Sequence, residues 1–587
     1  MRLQILASLL LYLDCSQADT LTNPALPGFH PDPTCIFVAE LNNTFFCTTS
    51  TINWFPSLPI YASRDLVHWK LVTHAISRPE QLPIWNYNNR GSSGIYAPTL
   101  RYRDGTFIIT CTHASQALPD ANLTKWDNFI LQTKDIYGEW DDPVHYYAPG
   151  IDPSPFWDDD GVAWITSTFN GSGVVHAPVN LTTGEVTLPY RWLWIGSGFV
   201  TPEAAHVYKK DGWYYTLLAQ GGTRERHQVT MARSRNFLGP YEGAPNNPLL
   251  TAYNNTKSYF QAVGHVDLFQ DAQDQWWAFE WPEGEFPIFT NVSGTITGDF
   301  KLPQPSGPET VPAEGNGQLV DADDDFDFAP GSQIPTHFLH WRPPITKNYR
   351  VSLEGHKNSL ALRSSMLNLT GFDGDSTNGR GQTMITRRQS HTIFKFSAEI
   401  DWSALSRDSE ETGITLFQDQ SQHFEIGVIY RSSLEPRNLT AGSLYLLPPN
   451  DFGPIALTTG PLPAGPAKPY IRFGGIGITQ YRLREQDTWI EKLTEMPEEW
   501  IGLKLRFQIE AVNTTHYSFS AGAAGRSDEG LRTFGYTEGR FIVPIFSGAT
   551  VGAYATSSGR YGEGAFESYI SRWKYTGIRQ VIDQPDS

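Results

Sequence analysis

The sequence predicts an all-β protein, a five-bladed β-propeller followed by a β-sandwich. Three observations carry that prediction. The chain has 51 Gly and 41 Pro spread without a period through 587 residues, which marks frequent turns. One hairpin pattern recurs five times in the first half, every 51 to 62 residues. The second half reads as long stretches of apolar–polar alternation, the period of half-buried antiparallel strands.

Composition bounds the rest. A chain of this length divides into two or three domains. Aromatics make 13% and charged residues only 18%, so the chain folds. A net charge of −18 argues against nucleic acid or an anionic membrane as partner, since both need a positive face. Residues 1–18 read as a signal peptide. Arg2 precedes a short apolar run, Ile5 to Leu13, and Ser16, Gln17 and Ala18 offer a cleavage site. Nine Asn-x-Ser/Thr sites agree with a secreted, extracellular glycoprotein: Asn42, Asn122, Asn170, Asn180, Asn254, Asn291, Asn368, Asn438 and Asn513. Beyond Cys15, three cysteines remain. Cys35 and Cys47 flank a hairpin turn and are the favoured pair, with pairing among Cys35, Cys47 and Cys111 left open. They make no zinc site.

The propeller is read over residues 22–310. Its hairpins are Cys35–Cys47, Leu100–Cys111, Phe156–Ile165, Val207–Leu218 and Leu268–Glu280, with turns near residues 42, 104, 160, 211 and 272. Asp-Gly between alternating strands is a strong hairpin signal, and four strands in about 55 residues make a propeller blade. Blades set their innermost strands around a channel, so residues leading into those strands meet at one mouth. Nine positions before Gly105, Gly161 and Gly212 stand Tyr96, Asp152 and Glu203, and the matching places in the first and last blades hold Asp32 and His265. Three carboxylates brought to one pocket raise at least one pKa, a cost that suits acid–base chemistry. Prolines flanking Asp32, Asp152 and Glu203 stiffen the backbone there.

Two carboxyl groups on opposite sides of a glycosidic bond are the minimum for glycoside hydrolysis, and a third can hold the acid's pKa up. Phe29, Trp54, Phe55 and Tyr96 are candidates to stack on sugar faces, and His30 lies in the same opening segment. Each is equally a candidate packing residue.

The motifs carry a resemblance. Asn23-Pro24 through Gly28-Phe29-His30-Pro31-Asp32-Pro33-Thr34 resembles the opening of glycoside hydrolase family 43. So do Tyr96-Ala97-Pro98-Thr99-Leu100, Gly150-Ile151-Asp152-Pro153-Ser154, Pro202-Glu203-Ala204-Ala205-His206 followed by Gly221-Gly222-Thr223, and Gly264-His265. The remainder resembles the C-terminal concanavalin-A-like β-sandwich of the β-xylosidase branch. The resemblance implies an inverting enzyme that releases xylose or arabinofuranose from plant cell-wall glycans. It makes Asp32 the general base, Glu203 the general acid and Asp152 the group that orients Glu203 and modulates its pKa. His265 resembles the family's axial histidine, which holds a cation or water cluster. No cofactor is required, and a calcium ion in the channel near His265 is an option. An acid–base separation of about 6.5–9.5 Å is the inverting expectation.

Two departures bear on the sugar. Tyr96 stands where the family's xylosidases usually carry Trp, and no Arg occurs between residues 236 and 341, where they supply one from the last blade. β-Xylosidase and α-L-arabinofuranosidase therefore stand about equal, with arabinoxylan or xylo-oligosaccharide as substrate. The alternatives are a non-catalytic carbohydrate-binding propeller and another exo-glycosidase of the five-bladed clan. Retaining relatives such as invertases need an Asn-Asp-Pro-Asn-type motif, whereas this chain has His30-Pro31-Asp32-Pro33.

Residues 311–327 read as a linker, with the acidic run Asp321–Asp327 solvated and a calcium site there the lesser reading. Residues 328–578 read as the sandwich. Its expected strands include Thr392–Ser403, Phe424–Arg431, Ser443–Pro448, Ile501–Val512, His516–Ala523, Gly548–Ala555 and Phe566–Thr576. This domain reads as a sugar-binding module or as a clamp on the active-site mouth, and the resemblance favours the clamp. The sequence leaves the oligomeric state open.

Overall fold

The computed structural model describes residues 23–83, 93–115, 126–255, 261–283, 288–291, 313–315, 317–371, 381–432, 466–478, 487–542 and 546–581. The segment read as a signal peptide, three of the Asn-x-Ser/Thr positions (Asn122, Asn438 and the side chain of Asn291) and the expected strand Ser443–Pro448 lie outside that set. Among the described residues no helix is long and apolar enough to cross a membrane.

The first half forms five antiparallel sheets. The first is ordered Thr34–Val38, Thr44–Thr48, Ser57–Ser63, Lys70–Ile76, and the second Gly94–Arg103, Thr106–Ala114, Trp126–Thr133, Val144–Tyr146. The third runs Ser154–Trp157, Ala163–Thr168, Val174–Pro178, Arg191–Trp194, and the fourth begins Glu203–Lys210, Trp213–Gln220, Gln228–Ser234. The fifth has Gln261–Gln270, Trp276–Glu283 and Ile288–Asn291. The first strand of each touches those of its neighbours, and the fifth touches the first, so the ring closes. The tight turns follow from their residues. Asp104-Gly105 and Asp211-Gly212 have positive φ at both positions (50° and 77°, 50° and 71°), the backbone that matches strand twist. Asn42-Asn43 does the same without glycine (55° and 53°). That turn brings Cys35 opposite Cys47 in register, and they form the disulfide. Cys111 is a buried free thiol.

The second half is a sandwich of two sheets. One is ordered Tyr349–Leu353, His356–Arg363, Glu567–Arg579, Ile393–Asp401, Leu505–Ala511, His516–Ala523, Arg532–Glu538. The other is ordered Met384–Arg388, Thr550–Thr556, Glu411–Asp419, Gln422–Arg431, Lys468–Ile478, Asp487–Glu495. Alternate residues such as Phe396, Ile414, Ile426, Phe507 and Trp573 fill the space between them.

The acidic run is not simply a solvated linker. Asp324–Phe326 pairs with the closing strand Glu567–Arg579, so the sandwich sheet already includes residues before 328. Asp324 is buried; Arg387 Nη1 approaches it to 2.8 Å and Trp573 Nε1 donates to it at 3.0 Å. An unpaired buried carboxylate would be costly, and the guanidinium opposite is what lets this one enter the core.

The two halves are welded by a short cross-domain ladder, Trp54–Phe55 against His340–Trp341. Trp54 is fully buried, edge-on to Trp341 and Phe417, and its indole N–H donates to Ser547 Oγ at 2.9 Å, 493 positions away. Arg388 donates to the carbonyl of Phe29 at 3.0 Å across the same seam.

Candidate active site

The inner strands share a feature invisible in the residue pattern. Asp32, Ala97, Asp152, Ala204 and His265 all lie in the left-handed region, with φ of 50°, 47°, 57°, 53° and 48°. Each is followed two positions on by Thr34, Thr99, Ser154, His206 or Asp267. The repeat therefore puts one strained residue per blade at the same place, at a cost of order 1–3 kcal/mol each. Strain repeated in this way marks a positioned ring of side chains.

This register corrects the count from the hairpin glycines. Tyr96 and Glu203 are one position earlier than Asp32 and Asp152, because the third hairpin closes through five residues (Trp157 opposite Ala163) and the second and fourth through two (Arg103 opposite Thr106, Lys210 opposite Trp213), so equal counts from the glycines land one position apart. Glu203 therefore approaches the other carboxylates from the position before the left-handed residue Ala204.

Asp32 is buried. Its Oδ2 accepts from Ser50 Oγ at 2.6 Å, and its Oδ1 lies 3.1 Å from His265 Nδ1. Ser50 Oγ in turn accepts from the backbone N–H of Ala97 at 2.6 Å, which ties the second blade to Asp32. Asp152, also buried, accepts at Oδ2 from the N–H of Ala204 at 3.1 Å and from Thr168 Oγ1 at 3.4 Å. Burial, and the negative charge of Asp32, push Asp152 up to about 6 against the pull of His265. Glu203 is half-buried; loss of water, then the charges of Asp152 and Asp32, push it well above the ordinary carboxylate range. Asp152 has donors to its ionised form, and among the described residues Glu203 faces only negative neighbours, so the pair holds its proton on Glu203.

Beneath this ring lies a second layer. Asp267 accepts from Arg101 at 2.8 and 3.1 Å, from Thr34 Oγ1 at 2.5 Å and from Tyr208 OH at 2.7 Å. His206 Nδ1 stands 2.9 Å from Ser154 Oγ. One carboxylate thus joins the first, second, fourth and fifth blades. Among the described residues no group of three or more His, Cys, Asp or Glu is arranged to hold a metal ion. His265, the residue that the resemblance links to a cation or water cluster, has its Nδ1 3.1 Å from Asp32.

The aromatic candidates divide. Trp54 packs in the seam between domains, and Phe55 in the core between the first two blades. Phe29 is buried against Gly548, where a Cβ would fall 2.7 Å from its own. His30 is buried with Nε2 2.8 Å from Tyr61 OH, and burial, then the nearby Arg388, hold its pKa well down. Trp54 and Phe55 pack in the seam and in the blade core, and Phe29 and His30 are buried in the opening segment against the sandwich and Tyr61. Tyr96 remains half-buried at the mouth, its ring edge-on to Phe546 at 5.9 Å between centroids. Phe546, Ser50 and Thr168 were not among the sequence candidates. Phe546 comes from the sandwich, and no local pattern announces it.

The comparisons with known proteins agree with this geometry. A model of glycosyl hydrolases family 43 matches residues 21–280, and one of the beta xylosidase C-terminal concanavalin A-like domain matches 323–440. A non-reducing end alpha-L-arabinofuranosidase of Bacteroides ovatus is 31% identical over 437 residues, 70% of this chain and 76% of that one. The chain belongs to glycosyl hydrolase family 43. A xylosidase/arabinosidase of Butyrivibrio fibrisolvens is 35% identical over 446 residues, 69% of this chain and 79% of that one. Among solved structures, a family 43 protein of the Bacteroides ovatus xyloglucan locus aligns with a TM-score of 0.73 at 26% identity, over 95% of this chain and 100% of its own. This family 43 protein is therefore a glycoside hydrolase with a five-bladed propeller and a C-terminal β-sandwich.

Proposed function

We propose that the protein is a secreted exo-glycosidase that releases xylose or arabinofuranose from the non-reducing ends of hemicellulose, with inversion. The observation that carries the reading is the contrast within one ring. Glu203 has a raised pKa with only carboxylates as charged neighbours among the described residues, whereas Asp32 is fixed by Ser50 and His265. Glu203 is the general acid and Asp32 the general base. Asp152 orients Glu203 and keeps its pKa up. Water attacks the anomeric carbon and gives a proton to Asp32 as its oxygen bonds to that carbon. The glycosidic C–O bond breaks, and the departing oxygen takes the proton of Glu203. Asp32 then returns its proton to solvent and Glu203 regains one.

Relatives named for arabinofuranosidase and for xylosidase/arabinosidase activity support a pentose at the site. Tyr96 beside Phe546, where the resemblance gives tryptophan, supports a subsite of different shape from a typical xylosidase. Secretion is supported by the leader-like segment and by Asn42, Asn170, Asn180, Asn254 and Asn513, all exposed. The deciding experiment is hydrolysis of 4-nitrophenyl β-D-xylopyranoside and α-L-arabinofuranoside, with NMR of the anomer first formed from xylo-oligosaccharide and arabinoxylan. Inverted pentose from either is the expected result. Retained anomer would overturn the mechanism, and no hydrolysis of any pentoside would overturn the reading.

A further inference from the structure

The connection from the third blade to the fourth exposes apolar side chains on a fixed backbone. Trp192 is 51% exposed, Ile195 66%, Phe199 42% and Val200 68%. Exposed apolar residues are ordinary when scattered, but four within nine positions make a patch. The backbone beneath them is held with unusual care. Gln220, wholly buried, accepts the N–H of Ser197 at 3.0 Å and donates to the carbonyl of Phe199 at 2.8 Å, while Gly221 N–H donates to Val200 at 2.8 Å. Thr230 Oγ1 donates to the same Gln220 oxygen at 2.7 Å, and Asn247 Nδ2 reaches Ser197 Oγ at 2.8 Å. The turn leaves no room beside that amide. Gly196 has φ of 84°, and a Cβ on it would meet Gln220 at 2.5 Å. A buried amide committed to a surface loop rigidifies it, and the loop then shows water its greasy side.

Topology puts this patch beside the acid. The connection leads directly into the strand Glu203–Lys210, so it ends at the face where Glu203 stands. The second strand of the third blade, Ala163–Thr168, runs antiparallel to the innermost one and returns to that face. There Thr168 contacts Asp152, and Phe169 directly follows it, edge-on to Trp192 at 5.2 Å. Phe169 and Trp192 thus continue the apolar surface from the carboxylate ring outward. The two turns also meet through Gly171, where a Cβ would lie 3.7 Å from Thr201.

A general acid protonates the leaving oxygen, so the surface next to it on the outer side is where the leaving group lies. Aromatic and aliphatic side chains stack on the C–H face of a pyranose ring with equatorial hydroxyls. Resting on the roles proposed above, we infer that Phe169, Trp192, Ile195, Phe199 and Val200 form a platform for the leaving group, and that its first residue is a neutral pyranose of a longer chain. The enzyme then discriminates among substrates by what lies beyond the scissile bond as well as by the pentose it releases.

The test compares two substrates with the same released sugar. One is the glycosyl fluoride, whose leaving group is a single atom, and the other an oligosaccharide of three to four pyranose residues. The readout is the ratio of kcat/KM on the oligosaccharide to kcat/KM on the fluoride. That ratio should fall at least about tenfold in Trp192→Ala and in the double variant Phe199→Ala/Val200→Ser, the loss of one or two stacking contacts. Tyr536→Ala, 61% exposed on the sandwich, should leave it within about twofold. Because it is a ratio, partial misfolding of a variant cancels. Wild-type activity on both substrates with an unmoved ratio in the platform variants would overturn the platform and leave the catalytic reading intact. Failure of the wild type on both would bring down the catalytic reading, and the platform with it.

Discussion

Asp267 and Glu203 stand one layer apart in the same channel, yet their carboxyl groups are displaced in opposite directions. Burial pushes both up. For Asp267 that push is overcome by the Arg101 guanidinium, followed by His206 and by donors from Arg101 and Thr34, so its pKa falls well below the usual range. For Glu203 nothing opposes burial, and Asp152 and Asp32 add to it. Supply of partners, not depth, separates a carboxylate that holds the blades together from one that can carry a proton.

The largest expected effect tests the proton-carrying side. Glu203→Gln should lower kcat on oligosaccharides by about 10³-fold or more, since the leaving oxygen then departs unprotonated. A leaving group that needs no proton should restore part of it. A variant with near-native activity would break the comparison at once. Asp267→Asn tests the other side: it leaves Arg101 buried beside an amide and should cost about 3–5 kcal/mol in denaturant unfolding. A fully stable Asp267→Asn protein that had lost only activity would show that the second layer is chemical and not structural.

Asp152→Asn sharpens the comparison within the upper layer. Removing a negative neighbour lowers the Glu203 pKa, so the alkaline limb of kcat/KM should move to lower pH. The smallest effects are in stability. A carboxyl whose pKa is raised on folding contributes stability below its unfolded pKa that is lost as pH rises toward the folded one. Glu203→Gln should therefore raise the melting temperature at pH 8 more than at pH 4. Asp324 behaves oppositely: Arg387 overcomes burial and holds it at about 2. Its contribution is present above about pH 4 and is lost as pH falls toward about 2, a loss that Asp324→Asn should flatten in acid melts.

The sequence was legible where chemistry is local. Asp-Gly turns set hairpins, and the expected strand His516–Ala523 is the strand found. Others differ by one or a few residues at their ends, as Ile393–Asp401 does within Thr392–Ser403. The three carboxylates were found by counting, although the count overlooked the longer turn of the third hairpin. How many residues a turn leaves unpaired is set by how its two strands pair, and nothing in Tyr96 or Glu203 announces it. The aromatic candidates were the weakest reading. Trp54 and Tyr96 look equally fit for a sugar on paper, and only packing against Trp341 and Phe417 removes the first from contention.

By itself, then, the sequence determined the elements whose causes lie within a few residues: turn geometry, alternation, the disulfide's hairpin and the carboxylates with their stiff flanks. Tertiary structure alone decided what depends on distant chain meeting in space. It set Glu203 among negative charges and Asp267 against Arg101. It brought Phe546 to Tyr96, and it buried Asp324 where a linker was expected. The physical reason is that hydrogen-bonded turns are local, whereas desolvation and charge pairing belong to whatever the fold places nearby.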